Sequence, residues 1–283
     1  MPVPLGTRGP PGNLGPMDDK LRLGGMALRN GLLVHGPTHW AAAVRAPDGT
    51  VKTASGRKPR LRAADRIPGV RGVVRLGEAM AVIPLVKKGL PEAELPFQDA
   101  SVVGVAAGAS VAGALLRKRV PGFAGEAAAA ATALVPALFA LRGGELAQYH
   151  GVEHKAIAAY EQGAEDAADA DKEHERCGSH LVTPMLVSNV AGTVLLKRVV
   201  EKPGPLAGSA VALASTAIAV EVFGWCERHS DTAMARAIRR PGFELQRAVG
   251  TREPDERQLE VGRAALAEIL RVEAEAAAAA PGA

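Results

Sequence analysis

Four long stretches of this chain are almost free of charge and alternate with polar segments. Only Glu126 and Glu221 place a formal charge inside them. A helix that crosses a bilayer needs about 20 mostly apolar residues, so the pattern predicts about four membrane-spanning helices. Frequent Gly and Ala suit close packing between such helices, although the same composition would also suit buried helices of a soluble bundle. The four stretches are residues 100–116, 121–141, 178–196 and 203–225.

The segments before the apolar stretches predict a small α+β region. Residues 1–20 are rich in Pro and Gly and are expected to be a disordered lead-in. Within residues 21–99, the run WAAAVRAPDGTVKTA places Pro-Asp-Gly between two arms that can extend, which predicts a β-hairpin. Residues 66–90 predict a turn followed by a helix with one apolar face, formed by Val73, Leu76, Met80 and Ile83.

The predicted fold class is therefore mainly α, with a membrane bundle over residues 100–230 that contains a polar insert at 142–177. The C-terminal tail, residues 231–283, includes an amphipathic helix. Its apolar stripe consists of Leu259, Leu266, Ile269 and Leu270.

Composition adds limits on partners and location. The net charge of +4 comes from scattered Lys and Arg without interleaved aromatic residues, so we expect no nucleic-acid partner. Two cysteines exclude a disulfide framework.

The expected location is the cell membrane, as a multi-pass protein. Basic residues near the predicted helix ends divide eight against six between the two sides, which leaves the positive-inside rule undecided. The first 30 residues lack an apolar signal sequence, which favours cytoplasmic termini.

The motif YHGVEHKAIAAYEQG, residues 149–163, carries the candidate chemistry. Gly143 and Gly144 break the preceding helix, and residues 145–162 are again typical of a helix. His150 and His154 would then lie one turn apart on one face, where both imidazoles can reach a single ion. Glu153 beside them completes the H-x-x-E-H order of the inverted zincins, in which the glutamate is a general base. The alternative is a solvated helix face.

Other residues supply possible further ligands. The segment HERCG places His174 and Cys177 three positions apart, and zinc binds imidazole and thiolate together. Glu221 is a carboxylate inside an apolar stretch, where such residues usually face a partner or an ion. A closed His3Cys shell would be structural, whereas three protein ligands and a water would be catalytic. Cys226 and His229 repeat the spacing and offer a rival Cys2His2 structural site.

Several motifs together resemble the YqhQ-like family, bacterial membrane-associated proteins described as predicted metal-dependent enzymes. The similarity extends from about Gly24 to Ala267 and implies a multi-helix membrane segment around a metal site at His150, Glu153, His154, His174 and Cys177. The chain departs from the family at Met26 and Asn30, where Gln and Glu are usual. It also has His-Glu-Arg-Cys-Gly-Ser in place of His-Pro-x-Cys-Gly-Thr, which loosens that turn. The motifs are GGMALRNGLLVHGP, AVRAPDGTV, YHGVEHKAIAAYEQG, HERCGS, RRPGFELQ and GTREPDERQLEV.

The sequence thus predicts a zinc-dependent membrane enzyme, most plausibly a hydrolase. His150, His154 and one of Cys177, His174 or Glu221 would hold the ion, and Glu153 would take a proton from bound water. The alternative is a structural or assembly protein whose zinc only fastens the polar insert to the bundle. A transporter is less favoured because no inverted repeat is evident. The lipid bilayer is the expected partner, and no phosphate loop, dinucleotide fingerprint or Ser-His-Asp order identifies the substrate.

Overall fold

The protein, seen in a computed structural model, is mainly helical with a four-stranded sheet near its N-terminus. The structure describes residues 20–61 and 69–279, so the predicted lead-in lies outside the described residues except for Lys20. The strands are β1 (Gly24–Leu28), β2 (Gly31–His35), β3 (His39–Arg45) and β4 (Val51–Arg57). The helices are α1 (Val70–Met80), α2 (Ile83–Gly89), α3 (Ala100–Arg119), α4 (Phe123–Thr132), α5 (Val135–Leu141), α6 (Glu145–Gln162), α7 (Val182–Val199), α8 (Pro205–Arg228), α9 (Ala233–Leu245) and α10 (Glu256–Ala278).

The sheet is an antiparallel meander in the order β1-β2-β3-β4. Its β3–β4 pair confirms the predicted hairpin, with Gly49 at φ 85° in the turn and the Thr50 backbone N–H donating to Asp48 Oδ1. A second hairpin, β1–β2, was not predicted. Its strands are short and joined by Arg29 and Asn30 alone, and strands of this length carry too few residues to show an alternating pattern.

Both faces of the two central strands, β2 and β3, are buried. Helices α6 and α10 cover one face, and α2 covers the other. Because both faces are covered, β2 and β3 are nearly continuous apolar runs that lack an alternation of apolar and polar residues. The first core combines Leu32, Val34, Ala41 and Ala43 with Val152, Ile157, Val261 and Ile269, and the second combines Leu33, Ala42 and Val44 with Val82 and Val86.

Four helical segments are long and apolar enough to cross a membrane. They correspond to the four predicted stretches, and their side chains point outward: only 6–22% of each apolar window is buried. Leu206 is 87% exposed and Val187 is 64% exposed. The second segment is broken into α4 and α5 around residues 133–134, just before Pro136, whose nitrogen cannot donate a helical hydrogen bond. The segments are Ala100–Arg119, Phe123–Leu141, Gly178–Val199 and Pro205–Arg228.

The chain leaves the sheet region through the apolar segments and returns to it. The sheet precedes all four segments and α10 follows them, yet the sheet and α10 share one core. Because the number of apolar segments is even, the chain can return to the side on which the sheet lies. At the connection between α3 and α4, buried Glu126 pairs with Arg117 at 3.0 Å and with Lys197. These two cations explain the one charge inside the second apolar stretch.

Two further predictions were tested by the fold. Within the predicted helix, the described residues from Gly69 onward do not form one helix: α1 and α2 are separated at residues 81–82, and Pro84 lies in the first turn of α2. Ile83 is buried as expected, whereas Leu76 and Met80 are more than 40% exposed. The predicted C-terminal amphipathic helix is confirmed as α10, which begins at an Asp255 capping box and buries Leu259 and Ile269.

Candidate metal centre

Helix α6 carries the H-x-x-E-H motif into the interior of the protein. It begins after Gly144, whose φ of 91° favours glycine, and it ends at Gly163 in the left-handed conformation. The helix packs against β1, β2 and α10. Glu153 and His154 are therefore buried, with His154 only 1% exposed. The alternative of a solvated helix face is wrong.

Three side chains with metal-binding atoms converge beside this helix. One ligand atom from each of His150, His154 and Cys177 lies within 4.8 Å of the other two. His150 Nε2 is 3.4 Å from Cys177 Sγ, and the two imidazole centroids are 4.3 Å apart. Two imidazoles and one thiolate are the three protein ligands that a three-ligand zinc site requires, and their spacing allows one ion to bind all three.

Backbone carbonyls fix the protonation of both imidazoles. His150 Nδ1 is 2.8 Å from the Gly250 carbonyl oxygen, and His154 Nδ1 is 2.6 Å from that of Lys172. A carbonyl oxygen only accepts, so each Nδ1 must carry the proton and donate it. In the neutral rings, Nε2 then presents a lone pair toward the cluster. Such an outer hydrogen bond is the usual arrangement for a histidine that binds a metal.

The electrostatics of the cluster favour a cation. His154 Nε2 is buried without a hydrogen-bond partner, and Glu153 Oε2 lies 3.7 Å from it and 3.9 Å from His150 Nε2. Burial lowers the pKa of His154, against the opposing effect of the Cys177 thiol, and this keeps the ring neutral. Burial also raises the pKa of Glu153, partly offset by His150 and His174. The Nε2 lone pairs of the two histidines thus face the Glu153 carboxyl group, and a divalent ion between these groups would stabilise them.

Cys177 is positioned by a network of hydrogen bonds that was not predicted from the sequence. Its sulfur accepts the Ser179 backbone N–H at 3.4 Å, at the start of a 3-10 turn over Gly178–Leu181. Buried Gln246 accepts the His174 backbone N–H at 2.8 Å and donates to Ser179 Oγ at 2.8 Å.

Gln246 also opens the π-helical turn Gln246–Gly250, whose last carbonyl holds His150. One short segment therefore positions two of the three candidate ligands. The π-helical geometry is itself common near functional sites.

The remaining predicted ligands lie outside this group. His174 uses both ring nitrogens: Nδ1 accepts the Arg176 backbone N–H and Nε2 is 3.2 Å from Glu161. Its ring is still close to that of His154, with centroids 5.7 Å apart. Glu221 accepts a hydrogen bond from the Gly69 backbone N–H at 3.3 Å.

The rival Cys2His2 set is not assembled among the described residues. Cys226 is buried in α8, and the His229 ring stacks on Trp225. Neither residue shares a metal-binding group with Cys177 in the part of the chain that the structure describes.

Two glycines let the backbone approach the cluster closely. A Cβ at Gly151 would lie 2.3 Å from the Arg252 carbonyl oxygen, so this glycine lets α6 pack against the segment that follows the π turn. A Cβ at Gly25 would lie 2.6 Å from Glu153 Cγ and 2.7 Å from its Oε1. Strand β1 therefore forms a wall against the Glu153 carboxyl group, which gives the opening Gly-Gly motif a physical role.

Gly25→Ala is expected to displace Glu153 and to destabilise the protein by about 1–3 kcal/mol, the usual cost of overpacking. Gly24→Ala is the matched control, because a Cβ there meets nothing within 4 Å. Chemical denaturation of both variants measures the difference. Equal stability of the two variants would show that the Glu153 side chain does not need the space above Gly25.

Comparison with known proteins relates this chain, with its four apolar segments and its His2Cys cluster, to a family. The family described as "Protein of unknown function (DUF1385)" matches residues 144–272, which contain all three grouped side chains. The chain is also 25% identical to "Uncharacterized protein YqhQ" of Bacillus subtilis (strain 168), over 311 residues that cover 89% of this chain and 93% of the relative. Both findings support a YqhQ-like family. No significant match to a solved structure was found.

Proposed function

We propose that this protein is a membrane-embedded, zinc-dependent hydrolase. The observation that carries the proposal is the convergence of His150 Nε2, His154 Nε2 and Cys177 Sγ beside the buried Glu153 carboxyl group. Three protein ligands leave one position of a tetrahedral zinc ion open, which distinguishes catalytic from structural sites.

The roles of the side chains follow from their positions. His150, His154 and Cys177 would hold the ion, with the two Nδ1–H groups anchored on backbone carbonyls so that the rings cannot turn. Bound zinc supplies Lewis-acid chemistry and lowers the pKa of a coordinated water toward about 7. Glu153 Oε2, less than 4 Å from both imidazole nitrogens, would accept a proton and later return it to a leaving group. Burial raises the pKa of Glu153 above its ordinary value, which makes its carboxylate a stronger base.

The alternative is a structural zinc site in an assembly protein, with His174 as the fourth ligand. The proximity of its ring to His154 favours that reading. Against it, Glu161 and the Arg176 backbone N–H occupy both ring nitrogens. His174 would have to break both hydrogen bonds before it could bind the ion. The open three-ligand site is therefore the better supported arrangement.

Membrane placement is supported by the four outward-facing apolar segments. We expect the protein to remain in the membrane fraction after carbonate and high-salt washing, because apolar spans are not released by charge screening. Immunoblotting of the washed pellet and supernatant measures this, with a peripheral protein as the control. Release into the supernatant without detergent would contradict membrane placement.

Hydrolysis itself can be tested without knowledge of the natural substrate. Zinc-loaded protein in detergent is assayed against chromogenic carboxylic esters, phosphoesters and short peptides, beside the same protein treated with a chelator. Turnover is expected only in the loaded sample, and zinc added back should restore it. Turnover that is equal with and without metal would contradict the proposal.

A further inference from the structure

A groove lined by four arginines and three acidic residues lies outside the metal cluster, beside helix α9. The acidic residues are Glu175, Asp231 and Glu244. The volume of the groove is about 650 Å³. Arg236, Arg240 and Arg247 are exposed at its wall, whereas Arg239 is buried and paired with Glu175 at 3.2 Å. The three exposed arginines are spaced at intervals of four and seven residues, so they form one stripe along α9 and the π turn after it.

The groove lies next to the ends of two apolar segments. Four residues separate the end of the fourth segment at Arg228 from the start of helix α9 at Ala233. It packs on the turn that opens the third segment, where a Cβ on Gly242 would lie 2.3 Å from His180 Nδ1. The arginine stripe therefore lies at the level where the third segment begins and the fourth ends. In a bilayer this is the level of the lipid headgroups.

The exposed arginines of the groove keep N–H donors that are free to bind an anion. Arg240 makes no hydrogen bond or ion pair within residues 20–61 and 69–279. Arg236 is held by a backbone carbonyl, since its Nη1 donates to the Asp231 oxygen at 2.6 Å. Arg247 is 3.7 Å from Glu244, and both side chains are more than half exposed, so water screens this pair. Met234, which is 64% exposed, adds an apolar side chain in the first turn of the same helix.

From this arrangement we infer that the α9 groove binds the phosphate headgroup of an anionic phospholipid, with the acyl chains beside the third and fourth apolar segments. Arginine pairs with phosphate through two parallel N–H groups. Basic residues on an amphipathic helix at a membrane surface attract anionic lipids. The inference rests on the membrane placement proposed above and does not depend on the metal.

Native mass spectrometry of the full chain in a neutral detergent tests this inference. Dioleoyl phosphatidylglycerol and dioleoyl phosphatidylcholine are added in equal amounts, and the bound lipid is counted. We expect about tenfold more bound phosphatidylglycerol, since each basic residue near anionic lipid contributes about fivefold and neighbouring acids offset part of it. The triple variant R236Q/R240Q/R247Q is expected to bind both lipids equally.

The matched control is K118Q/R119Q/R198Q, which removes the same charge from exposed positions at the opposite ends of the apolar segments. It should keep the preference for phosphatidylglycerol, and circular dichroism should show that both triple variants are folded. Equal binding of the two lipids by the wild type would overturn the inference, as would an unchanged preference in the α9 variant or an equal loss in the control. Because the measurement is made in detergent, its outcome is separate from that of the washing experiment.

Discussion

Replacement of His150 or His154 by alanine, or of Cys177 by serine, is expected to remove zinc from the purified protein. Each change deletes one of three converging donors, and loss of a primary ligand should weaken binding by more than the ten- to hundredfold typical of outer-shell changes. Zinc bound to the native state alone would contribute about 4 kcal/mol of stability at a thousandfold excess over its Kd. The variants should therefore lose both the metal and this stabilisation. Elemental analysis and thermal unfolding with added zinc measure the two effects.

Two variants serve as controls for this experiment. His174→Ala and Glu221→Gln should retain zinc, because neither side chain joins the ligand group. Zinc loss in Glu221→Gln together with retention in Cys177→Ser would reverse the assignment of the third ligand. Zinc loss in His174→Ala would support the structural His3Cys site.

Glu153→Gln is expected to leave zinc in place and to reduce hydrolytic turnover by about 10²–10⁴-fold, the range usual for loss of a general base. The amide has nearly the same shape as the carboxyl group but cannot accept the proton. Steady-state kinetics with the chromogenic substrate that gives turnover measures the loss, and elemental analysis of the same sample measures the metal.

The outcome separates two roles of this side chain. Loss of both zinc and turnover would make Glu153 a ligand. Full turnover with retained zinc would exclude it as the base. Asp255→Asn is a suitable control substitution, because Asp255 is the N-cap of α10 and lies outside the cluster. This variant should keep both zinc and turnover.

The long elements of the fold could be predicted because their patterns are local. The four apolar stretches, helix α6 and helix α10 each carry a periodicity or composition that extends over many residues. The break between α4 and α5 follows from Pro136 and could have been predicted. The β1–β2 hairpin could not, because strands of five residues are too short to show a clear alternation of apolar and polar positions.

The candidate site shows the same division between local and tertiary information. Spacing on one helix brings His150, Glu153 and His154 together, so the sequence alone predicts them. The choice of Cys177 over His174 depends on how the 174–181 segment folds against Gln246, a residue 72 positions from His174. Gly25 and Gly250 act through backbone proximity to α6. The sequence pattern around these residues does not show which parts of the chain they contact.

The central claim is an open three-ligand metal site, and cobalt substitution tests it most directly. In cobalt-loaded protein, thiolate ligation by Cys177 should produce an intense near-ultraviolet charge-transfer band that is absent in Cys177→Ser. Visible absorption should shift with pH and with an added anion such as cyanide, because an exchangeable water occupies the open position. A cobalt spectrum that shows Cys177 bound but does not respond to pH or cyanide would mean four protein ligands, and would contradict the enzymatic account.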